Sequence, residues 1–165
     1  MEEDMDRVVW MEKMGFHEAW IGEHHSSGWE ICGSPELFAA AVSQRTSRIK
    51  LGMGVVSLPY HNPFMVADRI RQLDHITKGR VILGMGPGSL PSDAYMIGVP
   101  TSEARDRMEQ AIEPIVRLLK GEIDWMHDLP TDLAPLLKRD PKVTVQVQDF
   151  IGGELYMRFN GLFPP

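Results

Sequence analysis

Residues 49–57 read IKLGMGVVS, residues 64–76 read FMVADRIRQLDHI, and residues 80–84 read RVILG. The first and last runs are short and almost continuously apolar, the pattern of strands buried on both faces of a parallel sheet. The middle run carries apolar residues at helical spacing and is stopped by Lys78-Gly79. Strand, helix, strand in that order is a βα unit, and its right-handed crossover places the helix outside the sheet.

The same alternation extends in both directions. Toward the N-terminus, Ser34-Pro35-Glu36 is a helix start with proline at the first position, and residues 35–46 continue it with Leu37, Phe38, Ala41 and Val42 on one face. Before it, residues 19–22 (AWIG) form a compact apolar strand. Residues 2–14 form a helix with Met5, Val8, Val9 and Met11 in a stripe, acidic residues at its head and Gly15 as its stop. Toward the C-terminus, Met85-Gly86-Pro87-Gly88-Ser89 is a loop, and a longer polar loop leads to a helix over 102–120 ended by Gly121. The chain to Gly121 therefore reads α-β-α-β-α-β-α. Its strand ends near Gly22, Val56 and Gly84 lie about 30 residues apart, the length of a βα unit. The fold class is α/β, as a partial (β/α) barrel or an open doubly wound sheet. In both, ligands bind at the C-terminal ends of the strands.

Residues 122–165 follow a different pattern. Pro130, Pro135 and Pro141 interrupt a short helix over 133–138. Residues 142–148 (KVTVQVQ) alternate cleanly, and residues 154–159 (ELYMRF) can pair with them across Ile151-Gly152-Gly153 as a β-hairpin. The expected organisation is a barrel-like domain over 1–121 and a separate tail over 122–165.

Composition narrows the function. With 43% hydrophobic and 24% charged residues the chain is an ordinary globular one, long enough at 165 residues for a domain with a core. A net charge of −6 and the lack of a basic tract argue against nucleic acid as the partner. The lone Cys32 excludes an internal disulfide and a cysteine-based zinc site. No apolar run approaches the ~18–20 residues of a membrane span. The N-terminus, MEEDMDRVVW, has no signal-peptide core, so a cytoplasmic location is the expectation.

Chemistry concentrates at three strand ends. The first carries Glu23-His24-His25-Ser26. Adjacent residues on an extended backbone point to opposite sides, so one imidazole can face the mouth of the fold while the other braces it. Histidine suits proton transfer near neutral pH; the competing reading is two loop histidines in structural hydrogen bonds. A metal held with Glu23 and His61 is disfavoured, because adjacent histidines chelate less well than H-x-H or H-x-x-x-H pairs. At the second strand end Gly54 and Val55 expose backbone on which a flat ring can lie; otherwise Gly52 and Gly54 relieve crowding between strand and helix. The third, Gly84-Met85-Gly86-Pro87-Gly88, departs from G-x-G-x-x-G. Pro87 lacks a donor and no helix is expected directly after it, so Gly86 reads as pocket floor rather than as a dinucleotide loop. Arg105 and Arg107 head the last helix against its dipole, a misfit that a bound phosphate relieves and that a solvated surface also tolerates.

At these residues the chain resembles the bacterial luciferase-like flavin monooxygenases, with limonene-monooxygenase-like proteins as the subgroup. The resemblance is carried by GFHEAWIGEHHSSGWE (15–30), RIKLGMGVVSLPYHNPFMVADRIRQLDHITKGR (48–80), VILGMGPG (81–88) and ARDRMEQAIEPIVRLL (104–119). It implies a TIM-type barrel that binds reduced FMN, or FAD in some members, and uses oxygen to oxygenate a small organic substrate. A separate flavin reductase supplies the reduced cofactor. By position, His24 matches a histidine of acid/base chemistry, with His25 beside it. Gly54-Val55 matches a bulged, often cis, peptide behind the flavin ring, and Arg105 matches a phosphate-holding arginine. Gly86 stands where luciferase has a reactive cysteine and Pro87 where it has an arginine, which points away from light emission. Asp68, Arg69, Asp74 and Gly79 match framework positions. The family's first strand and its fifth to eighth strands have no counterpart here, so an incomplete domain is expected. Its open sheet edges would be covered by the tail hairpin or by a second copy in a homodimer. The alternatives on this fold are a non-catalytic flavin-binding or structural remnant and a deazaflavin-dependent oxidoreductase.

Overall fold

The computed structural model describes residues 1–28 and 32–122 in full and, as backbone, residues 124–126, 143–147 and 155–159. The expected helix over 133–138 and the turn at 151–153 lie outside the described residues. Strands β1 (Glu18–Ile21), β2 (Lys50–Ser57) and β3 (Val81–Gly86) form a parallel sheet in the order β1-β2-β3. Helices α1 (Glu2–Lys13), α2 (Pro35–Ser43) and α3 (Pro63–Thr77) alternate with these strands. This is the α/β alternation read from the sequence.

Local chemistry sets these boundaries. Asn62 caps α3, its side-chain oxygen accepting from the backbone N–H of Phe64 at 3.0 Å and Met65 at 3.4 Å, with Pro63 at the first position. The helix ends with Lys78 in the left-handed region (φ 59°), followed by Gly79 at φ 79°. Helix α2 stops at Ser43, three residues short of the expected end. The reason lies in Arg80, whose guanidinium draws the carbonyls of Ser43 at 3.0 Å and Thr46 at 3.2 Å away from a helical path.

Leu51, Met53 and Val56 of β2 are fully buried, as are Ala39 and Val42 of α2 and Val66 of α3. Helix α2 packs on β2, α3 on β3, and the two helices on each other. Each fully buried aliphatic side chain stabilises the fold by about 1.5–3 kcal/mol relative to exposure. The opposite face of the sheet differs from the expected two-sided burial. There the Trp20 indole lies across the glycines, and the residue remains 53% exposed. A Cβ at Gly52 would stand 2.5 Å from Trp20 Cδ2, and one at Gly54 would stand 3.1 Å from Cε3. The glycines of β2 thus make room for an indole from the neighbouring strand. Between Met53 and Val56 the β2–β3 register shifts, and the Gly54–Val55 peptide in that bulge is cis.

At the N-terminal ends of the strands, two side chains bind the loops. The Glu12 carboxylate accepts backbone N–H groups from Ser47 at 3.0 Å and from Arg48 and Ile49 at 2.7 Å each. These bonds outweigh its partial burial and hold its carboxyl at about 2. Arg80 donates to Thr77 O, Ile49 O and Thr46 Oγ1 as well as to the two carbonyls at the end of α2.

Beyond β3 the expected polar loop contains a helix, α4 (Pro91–Ile97), and a short 3-10 turn, Thr101–Glu103, before α5 (Ala104–Leu119). The described chain divides into two compact units that part inside α5, between Glu113 and Pro114. In the second, β4 (Asp124–Met126), β5 (Val143–Val147) and β6 (Leu155–Phe159) form an antiparallel sheet in the order β4-β6-β5. The β5–β6 pair is the one expected from alternation, with Val143 opposite Phe159 and Val147 opposite Leu155. Strand β4 is three residues long, too short to show a period. Among the described residues no helix is long and apolar enough to cross a membrane.

Candidate active site

The C-terminal ends of β1, β2 and β3 carry a connected set of polar side chains with Glu23 at its centre. Glu23 is 4% exposed. Its Oε2 accepts the Ser57 backbone N–H at 2.6 Å, which ties the end of β1 to the end of β2. Its Oε1 lies 2.9 Å from His25 Nε2 and 2.7 Å from His61 Nε2. Burial alone would raise the Glu23 carboxyl. The hydrogen bonds from His61, the Ser57 N–H and His25 together exceed that effect and hold it below the ordinary carboxylate range. The expected bracing role falls to His25, whose ring also meets Tyr60 edge-on at 6.2 Å between centroids.

The network continues behind His61. Arg69 Nη2 lies 3.4 Å from His61 Nδ1, and Arg69 Nε lies 3.2 Å from Oε1 of the buried Glu36. Ser34 Oγ donates to the other Glu36 oxygen at 3.0 Å. Arg69, expected to be framework, is therefore framework for this site.

A second carboxylate, Asp93, closes the site from α4. It is 2% exposed, and it accepts from the His25 backbone N–H at 3.2 Å and from Ser26 Oγ. His24 Nδ1 stands 3.6 Å from Asp93 Oδ2. Burial works to raise the Asp93 carboxyl, but the Ser26 and His25 hydrogen bonds and the nearby His25 ring lower it on balance. The phenol of Tyr60 is raised by burial and by the negative charges of Asp93 and Glu23. The expectation that no helix follows the third strand end is corrected here. Helix α4 opens at Pro91, three residues beyond Gly88, and delivers Asp93 to the histidine loop. The Pro91-Ser92-Asp93 start was a legible signal, proline at a first helical position with an acid in the first turn.

Gly86 and Val55 are in direct apposition, for a Cβ at Gly86 would stand 2.6 Å from Val55 Cγ2. Gly88 at φ 77° leaves room for the Tyr60 hydroxyl, which a Cβ there would approach to 2.4 Å. His24, His25, Gly54, Val55 and Gly86 thus all lie at the strand ends or the bulge beside them. Arg105 does not join them through a contact. It is exposed in the first turn of α5, and among the described residues it makes no hydrogen bond or ion pair. Arg107 pairs with Glu103, its Nη2 2.8 Å from Oε2, and lines a recess of about 340 Å³ with His61 and Gln110. Among the described residues no group of three or more His, Cys, Asp or Glu side chains is disposed to hold a metal ion.

A flavin needs a flat apolar face for its ring and a cation for its phosphate. The exposed backbone of Gly54, the half-exposed Trp20 indole beside it and the exposed Arg105 are groups of those kinds.

Comparison with known proteins is consistent with this chemistry. The profile of the luciferase-like monooxygenases matches residues 2–146. Limonene 1,2-monooxygenase of Rhodococcus erythropolis is 49% identical over 154 residues, covering 89% of this chain and 40% of that protein. Among solved structures, the oxygenating constituent of 3,6-diketocamphane monooxygenase from Pseudomonas putida, a type II Baeyer–Villiger enzyme in complex with FMN, superposes with a TM-score of 0.70 at 29% identity. The match covers 76% of this chain and 35% of that one. The coenzyme F420-dependent tetrahydromethanopterin reductase of Methanopyrus kandleri superposes with a TM-score of 0.53 at 31% identity, over 60% of this chain and 27% of that one. The chain spans 40% or less of the length of each of these relatives.

Proposed function

The chain belongs to the luciferase-like monooxygenase family, and from that premise we propose that it forms the flavin-binding and proton-handling part of an oxygenase. The reaction is oxygenation of a small organic substrate by O2 with reduced FMN, provided in the cytoplasm by a separate flavin reductase. The observation that carries this reading is a juxtaposition. The Gly54–Val55 bulge, with the exposed backbone of Gly54, lies in the same sheet whose strand ends hold His24 and His25 against two buried carboxylates. FMN is favoured over FAD because the solved monooxygenase relative holds FMN. That relative is also described as an oxygenating constituent, which favours a separate reductase.

When bound, reduced FMN supplies the electrons that activate oxygen. The Gly54–Val55 backbone and Gly86 would hold the ring, and Arg105 would hold the phosphate. Glu23 and Asp93 hold the two histidines at the strand ends, and imidazole is the side chain suited to giving or taking a proton there. Tyr60 stays protonated and closes the space above Gly88.

Anaerobic titration with reduced FMN, followed by admission of oxygen, tests this function. Saturable binding near micromolar concentration, then oxygen consumption dependent on His24, is the expected result. Binding without oxygen reactivity favours a non-catalytic remnant. Binding of reduced deazaflavin in preference to FMN favours a hydride-transfer enzyme, the reading that the F420-dependent relative supports.

A further inference from the structure

We propose that Glu23 is a positioning residue that sets where the protons sit on two histidines, holding His25 and His61 both as the Nε2–H tautomer. An ionised carboxylate only accepts hydrogen bonds, so a ring nitrogen in contact with it must donate. Oε1 of Glu23 meets His25 Nε2 at 2.9 Å and His61 Nε2 at 2.7 Å, so both rings carry their proton on that nitrogen. The second oxygen cannot exchange roles with the first, because the Ser57 N–H holds it at 2.6 Å.

His61 is constrained from its other side as well. Arg69 Nη2 faces His61 Nδ1 at 3.4 Å, and a guanidinium has donors and no acceptor. Nδ1 therefore presents a lone pair, and His61 is a neutral imidazole with its one proton on Nε2. Arg69 is kept in place by Glu36 at 3.2 Å, and Glu36 by Ser34 at 3.0 Å. Among the described residues, the charged or titratable groups around the pair are Glu23, Asp93, Tyr60, Arg69 and Glu36, with Arg107 across the recess that His61 lines.

The arrangement gives the two rings different functions. His61 is a relay between Arg69 and Glu23 and has no nitrogen left for a substrate. His25, with Nε2 committed to Glu23, can exchange a proton only through Nδ1. On protonation there, the positive charge is shared with the carboxylate behind it. The bearing of this on catalysis rests on the oxygenase reading; the tautomers do not.

The test is two-bond proton–nitrogen correlation NMR of the ¹⁵N-labelled chain at neutral pH, with His25→Gln and His61→Gln to assign the signals. It needs no flavin, so its failure is separate from failure of the flavin titration. Both rings are expected to give the Nε2–H pattern. Glu23→Gln is expected to invert His25, since the Ser57 N–H claims the single carboxamide oxygen and turns the NH2 toward the rings, whereas Arg69 still opposes a proton on His61 Nδ1. An Nδ1–H or imidazolium pattern for His61, an Nδ1–H pattern for His25, or an unchanged His25 tautomer in a folded Glu23→Gln variant overturns the proposal. Should that variant not fold, the wild-type patterns decide alone.

Discussion

The two ends of the three-stranded sheet both use buried or half-buried charge, but on different partners. At the N-terminal ends, Glu12 and Arg80 direct their charge onto backbone amides and carbonyls. At the C-terminal ends, Glu23 and Asp93 share theirs largely with histidine and serine side chains. A backbone partner has one fixed protonation state, so the lower end is a staple. A histidine partner has three, so the upper end has the freedom that proton chemistry needs. This is the division expected of parallel α/β folds, stability below and chemistry above.

The largest break in that contrast should come from Arg80→Met. It removes donors from Thr77 O, Ile49 O, Ser43 O, Thr46 O and Thr46 Oγ1 together. The expected loss is about 3 kcal/mol, seen as a lower urea midpoint. A loss below about 1 kcal/mol would show that water replaces the guanidinium and that the lower end is no staple. Next in size, Arg105→Ala should weaken FMN about tenfold or more, near 1.4 kcal/mol, and leave riboflavin binding unchanged. Equal weakening of both ligands would remove its phosphate role.

Glu12→Gln sharpens the comparison through pH. The folded Glu12 carboxyl sits at about 2 against an ordinary 4.5, so its stabilisation is complete above the ordinary value and is lost as pH falls toward the folded one. At neutral pH the variant should be about 1 kcal/mol less stable, a figure kept small because solvent screens a partly exposed group. The difference from wild type should shrink as urea midpoints are taken from pH 4.5 down to about 2. A difference that stays constant through that interval would mean that the carboxamide fails on geometry rather than on charge.

How much of this was legible depends on the range of the forces involved. The alternation of elements, the helix read over 64–76 and the pairing of residues 143–147 with 155–159 follow from local spacing, and all appear in the fold, the helix starting one residue earlier at Pro63. The histidines and the Gly54–Val55 bulge were legible because they stand at strand ends. Glu23 was visible as the acid of the first strand end and as a rival metal ligand but not as a hub, since what makes it one is Ser57 and His61, more than thirty residues away. Asp93 was hidden inside an assumed loop, and its value comes from a contact sixty-eight residues distant in sequence. Gly52 was legible as a close approach, but the approaching group, Trp20, comes from a neighbouring strand whose register spacing cannot give.

The smallest expected effect separates two arginines that sequence placed together. Arg105 and Arg107 are two residues apart, so on a helix they point in nearly opposite directions. Arg107 is satisfied by Glu103 four residues earlier, its Nε and Nη2 at 3.1 and 2.8 Å from the same oxygen. An exposed pair at that spacing contributes about 0.3–0.5 kcal/mol. Arg107→Gln should therefore lower the urea midpoint barely beyond error, and its effect should vanish in high salt, where such pairs are screened. It should leave FMN affinity where it was, in contrast to Arg105→Ala. If Arg107→Gln instead weakens FMN and spares riboflavin, the phosphate faces the recess shared with His61, and the cation assignment moves from Arg105 to Arg107.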